Sequence, residues 1–119
     1  MHITIKTTPQ DLIFSARDLI EGKLSSLDKL LEHTTGPVSL ACEVEESIAV
    51  ERSGAKYRAE GNLSVNGQLF RAEATSATLE GAVDQVRDEL TRAVQSAHGK
   101  RRSLVKRGGA ALKRMLRGG

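Results

Sequence analysis

Three histidines, one cysteine, fifteen Asp or Glu and eighteen Lys or Arg are the groups in this sequence that could do chemistry. His2, His33 and His98 are scattered, and none has a cysteine or second histidine at ligand spacing, so no metal site is expected. Cys42 alternates in phase with Leu40 and Val44, which reads as a buried structural thiol rather than a nucleophile. Gly-Gly pairs occur only at Gly108-Gly109 and Gly118-Gly119, not between a strand and a helix, so no phosphate-cradling loop is present. The carboxylates fall on outward helix and strand positions. No constellation supports catalysis, and neither an enzyme nor a bound cofactor is expected. That leaves the bases, whose chemistry is the pairing of cations with phosphate. Arg17, Lys23 and Lys29 lie off one apolar stripe, Arg87 and Arg92 off another, and Lys100, Arg101 and Arg102 follow. Together they could read a folded RNA through its phosphates. The lack of expected exposed aromatics argues against a single-strand stacking platform.

These side chains must be positioned by a regular set of elements. His2 to Thr7 alternates as a short strand. A long helix follows, with Leu12, Ile13, Ala16, Leu19, Ile20, Leu24, Leu27, Leu30 and Leu31 in one stripe. Thr8-Pro9 offers its N-cap and first helical residue, with a start a few residues later as the alternative, and Gly36-Pro37 closes it. Val38 to Val44 alternates as a second strand, and residues 46–55 read as a connecting loop. Asn66-Gly67 then joins two strands, because both residues tolerate positive φ. With Val65 and Gln68 flanking the turn, Leu63 opposes Phe70 and Gly61 opposes Ala72. Leu63, Val65, Phe70, Ala72 and Ala74 then share one face. Thr78 caps a last helix striped with Leu79, Val83, Val86, Leu90, Val94 and Ala97.

The order is β-α-β-β-β-α. The expected fold is α+β: a two-layer sandwich, a four-stranded sheet with two helices packed on one face, and a basic C-terminal tail. Ser39, Glu43, Arg71 and Glu73 should face water on the other side. A chain of 119 residues makes one core, which with one Tyr, two Phe and no Trp must be aliphatic. The domain is expected over residues 1–99 and the tail over 100–119. No long apolar run or secretory leader is visible, and the lone cysteine suits a reducing compartment, so a cytoplasmic protein is expected. Charge is divided sharply: residues 1–97 hold 10 bases against 15 acids, whereas 98–119 hold 8 bases and no acid. An acidic body with a basic tail points to a polyanionic partner.

The helix ARDLIEGKLSSLDKLLE, the hairpin NLSVNGQLFRAEA and the helix LEGAVDQVRDELTRAVQ occur in that order. Together they resemble the ribosome hibernation-promoting factor and ribosome-associated inhibitor family, also known as sigma-factor modulation proteins, in its short form. Arg17, Lys23 and Leu27 stand in register with the family's first helix. Ala82, Asp84, Asp88, Leu90 and Arg92 stand in register with its last. Glu80 replaces a common aromatic and Ile13 a capping threonine, while Ser26, Glu89 and Ser96 replace common bases. The long form's C-terminal dimerisation domain has no counterpart in this sequence, where the basic tail stands instead.

The resemblance implies the β-α-β-β-β-α fold and binding to the small ribosomal subunit, in the channel used by messenger and transfer RNA. It implies silencing of translation under stress by occlusion. Arg17, Lys23, Lys29 and Arg92 are then the expected contacts to ribosomal RNA phosphates, joined by Lys100, Arg101 and Arg102 on charge and location. No small-molecule substrate is expected. Two other readings stay open: a general RNA- or DNA-binding module, and a tail that docks on a membrane surface or protein through Leu112, Met115 and Leu116.

Overall fold

The structure, a computed structural model, describes residues 1–46 and 56–97. Four strands run in spatial order β1 (His2–Thr8), β2 (Val38–Glu46), β3 (Tyr57–Val65) and β4 (Gln68–Ser76). β1 pairs parallel to β2, and the other two pairings are antiparallel. Two helical segments complete the order. The first contains α1 (Ile13–Leu24) and α2 (Leu27–Leu30); the second, α3, covers residues 79–97. The expected connecting loop at 46–55 falls almost wholly outside the described residues.

The hairpin forms as its alternation requires. Asn66 and Gly67 both have positive φ, 51° and 82°. Two consecutive residues there give the turn whose twist matches the flanking strands. Val65 therefore pairs with Gln68, Leu63 with Phe70 and Gly61 with Ala72. Thr78 caps α3 by accepting a 3.0 Å hydrogen bond on Oγ1 from the Gly81 amide. A side chain at Gly81 would collide with that cap and with Ser76.

The first helical segment starts at the later of the two expected points and breaks before its expected end. Pro9 is extended at φ −68°, ψ 158°, and precedes a short 3-10 turn, Gln10–Leu12, rather than opening the α-helix. No side chain caps this turn. Thr7 instead donates its hydroxyl toward the carbonyls of Pro9 and Gln10, at 2.8 and 3.0 Å. At the far end α1 stops before Ser25-Ser26. Those hydroxyls donate back to the Gly22 and Lys23 carbonyls at 2.9 and 3.1 Å. Such local bonds compete with the helical ladder. The apolar spacing crosses the break unchanged, so Leu27 and Leu31 remain buried with Ala16, Ile20 and Leu24.

One core lies between sheet and helices. The inward sheet residues include Leu40, Cys42, Val44, Ala59 and Leu63; α3 contributes Ala82, Val83, Val86, Leu90 and Val94. Each fully buried Leu or Ile side chain contributes about 1.5–3 kcal/mol relative to exposure. Gly61 lets α3 approach closely: a Cβ there would lie 2.7 Å from Val86 Cγ1 and 3.1 Å from Leu90 Cδ1. Ser39, Glu43, Arg71 and Glu73 are exposed on the opposite sheet face, as expected. The sandwich therefore presents two surfaces, one of open sheet and one of helices.

Candidate nucleic-acid interface

On the open sheet face, pairing aligns Glu43 with Glu60 and Glu60 with Glu73, three carboxylates in one cross-strand row. Like charges directly opposite repel unless countered. Arg58 and Arg71 supply the counter-charge. Arg58 Nε donates to Glu73 Oε1 at 2.9 Å and its Nη2 to Glu60 Oε2 at 3.3 Å, while Arg71 Nη2 donates to Glu60 Oε1 at 2.9 Å. The amide of Asn62 and then Arg71 hold the Glu60 carboxyl below its ordinary 4.5. These pairs engage Arg58 and Arg71, so the row has little to offer a phosphate; Lys6, aligned with Glu43 on the edge strand, is exposed.

A depression of about 580 Å³ opens beside it, lined by Ile5, Lys6, Thr7, Gln10, Ile13, Glu43, Val44 and Arg58 among others. It holds mixed charge and no activated nucleophile, since the Thr7 hydroxyl is already bonded to two carbonyls. Cys42 is 1% exposed, and burial followed by the Glu43 charge pushes its thiol up to about 11. Among the described residues no group of His, Cys, Asp and Glu is arranged to hold a metal ion. No helix there is long and apolar enough to cross a membrane.

The helical face holds the expected contacts, but not as one patch. Arg17 is exposed, with only a loose 3.5 Å pair to Glu21 one turn on. Six residues separate it from Lys23, which places the two about 120° apart around the helix. Lys23 points instead at α3: its Nζ lies 3.1 Å from both carboxylate oxygens of Asp84. Arg87 Nη1 also approaches Asp84 Oδ1 at 3.1 Å. Neither cation aims a proton squarely at that buried oxygen, so the pairing is one of charge. Arg87 continues to Asp88, at 3.0 Å.

That last contact displaces a pairing that helical spacing alone allows. Asp88 and Arg92, at i and i+4, could have paired; Asp88 pairs with Arg87 instead, and Arg92 stands exposed with no ion pair among the described residues. Lys29 is likewise exposed on α2. Lys100, Arg101 and Arg102 lie outside the described residues. The helices carry Arg17, Lys23, Lys29, Arg87 and Arg92 against seven acids, so among the described residues they form no basic patch. The expected absence of exposed aromatics is also overturned, because Phe14, at the start of α1, is 89% exposed. It lies off the helical stripe, and that phase was its available signal in the sequence.

The family model for sigma 54 modulation protein / S30EA ribosomal protein matches residues 3–102. Among solved structures, the N-terminal domain of Thermus thermophilus Protein Y aligns with a TM-score of 0.65 at 26% identity, covering 81% of this chain and 98% of that one. A ribosomal subunit interface protein from Coxiella burnetii gives a TM-score of 0.65 at 18% identity, covering 83% and 99%, a likeness of fold. No curated protein matches the chain.

Proposed function

The chain belongs to the sigma 54 modulation protein / S30EA ribosomal protein family, whose members are ribosome-associated and not enzymes, and from that premise we propose that it silences translation by binding the small ribosomal subunit. The bound domain fills the channel for messenger and transfer RNA under stress. The mechanism is occlusion, which requires a rigid body and a grip but no bond-making. The single observation that carries this reading is the family match across residues 3–102, which spans every strand and helix of the sandwich.

The helical side makes the contact, because Arg58 and Arg71 of the open sheet face are already engaged by its glutamates. Arg17, Lys29 and Arg92 are exposed and meet ribosomal RNA phosphates. Lys23, held at Asp84, joins them only where phosphate displaces that carboxylate. Lys100, Arg101 and Arg102 extend the contact beyond residue 99, where the domain gives way to the basic tail. Affinity should then fall linearly with salt on a logarithmic plot, by about 0.7–0.9 for each phosphate neutralised.

Co-sedimentation with separated small and large subunits, across a salt series, tests the proposal. Binding should be confined to the small subunit, and backbone footprinting should protect its decoding channel. Equal binding to the large subunit, or to free duplex RNA, would overturn it in favour of a general nucleic-acid module.

A further inference from the structure

Phe14 is the side chain that neither the core nor the phosphate contacts explain. It is 89% exposed, while Tyr57 and Phe70, the chain's other aromatics, pack against the core. Gln10, Asp11, Ser15 and Asp18 around it in sequence are all exposed and polar. A single ring in a polar setting lacks the contiguous apolar area of a protein-binding patch. It does suit a flat partner that covers one ring face. Arg17 lies one helical turn on, three residues away and on the same flank of α1. Its guanidinium is 57% exposed and held only by the 3.5 Å contact to Glu21.

We propose that Phe14 and Arg17 form a nucleobase clamp: the ring stacks on an unpaired base of RNA and the guanidinium pairs with the adjoining phosphate. This rests on the reading of ribosomal RNA as the partner. The clamp fits a body whose helical acids outnumber its bases, because stacking is an uncharged contribution that those acids do not oppose. Asp18 falls one turn beyond Phe14, and its carboxylate can accept from the exocyclic amine of a stacked cytosine, adenine or guanine.

The chain contains no tryptophan, so Phe14→Trp provides a single emitter at the site. Its emission should be quenched both by small subunits and by short single-stranded RNA. Phe14→Ala and Phe14→Leu should each weaken subunit binding about 5- to 100-fold with unchanged salt slope and thermal midpoint. Arg17→Ala should instead lower the salt slope by about one. Full binding by Phe14→Leu would show an apolar protein contact and overturn the clamp. So would unquenched Phe14→Trp emission in both titrations. Wild-type protein that fails to sediment with small subunits, beside a Phe14→Trp variant still quenched by single-stranded RNA, would reject the ribosomal reading and leave the clamp standing.

Discussion

Cys42 and Glu60 show how the same sheet treats its two faces. Cys42 points inward and is 1% exposed, with its thiol raised to about 11 by burial first and by Glu43 second. A thiol in that state is neither ionised nor accessible near neutral pH. Native protein should therefore resist iodoacetamide at pH 8 and react fully once unfolded in urea. Cys42→Ser should cost about 1–3 kcal/mol by placing a hydroxyl in an apolar setting, measured from the urea midpoint. Rapid labelling of the folded protein would contradict this placement. Glu60 points outward, and the Asn62 amide with Arg71 lowers its carboxyl pKa on folding. A lowered folded value contributes stability that is complete above the unfolded pKa, near 4.5. That contribution is lost as pH falls through the lower folded value. Glu60→Gln should accordingly flatten the decline of the thermal midpoint on the acid side. An unchanged acid limb would show that the cross-strand network contributes nothing at equilibrium.

Between elements, Asp84 is the point where α1 and α3 are joined by charge. Lys23 and Arg87 both lie 3.1 Å from its Oδ1. All three side chains are only partly exposed, at 26%, 27% and 34% for Lys23, Arg87 and Asp84. Asp84→Ala should lower stability by about 1 kcal/mol by leaving the partly buried Lys23 without its partner, while Arg87 keeps Asp88. It should at the same time raise affinity for small subunits and steepen the salt dependence, since Lys23 becomes available to phosphate. Urea denaturation and co-sedimentation of the same variant would reveal these opposite shifts; a loss of both stability and binding would mean that the tie orients the interface instead. Such a tie spans 61 residues of sequence and leaves no local trace. The hairpin was fully legible because alternation and Asn66-Gly67 specify register within a few residues. The break at Ser25-Ser26 was hidden, because Leu24, Leu27 and Leu31 keep helical spacing across it. Arg17, Lys29 and Arg92 could be recognised as surface bases from their phase. Their separation, and the pairing of Asp88 with Arg87 in place of Arg92, depend on side-chain choices among several partners within reach.

At the scale of the molecule, acidic and basic charge are divided between two parts of the chain. Residues 1–97 build the sandwich and carry five more acids than bases, whereas 98–119 carry eight bases and no acid. A polyanion approaching the body alone meets a net acidic charge, relieved at isolated points such as Arg17, Lys29 and Arg92. Three such contacts give a salt slope of about 2–3 on logarithmic axes. Each tail base that meets phosphate adds about 0.7–0.9 more, so the tail should carry most of the electrostatic grip. Deleting residues 100–119 should leave the folded sandwich intact by circular dichroism and thermal unfolding. Small-subunit affinity at low salt should fall, and the slope should drop toward that of the three body contacts. Replacing the tail bases with glutamine at unchanged length separates charge from bulk, and should reproduce the deletion. Should the deletion and the glutamine variant both retain the full slope, the grip would belong to the helices. The acidic residues around them would then have to move away from phosphate on binding.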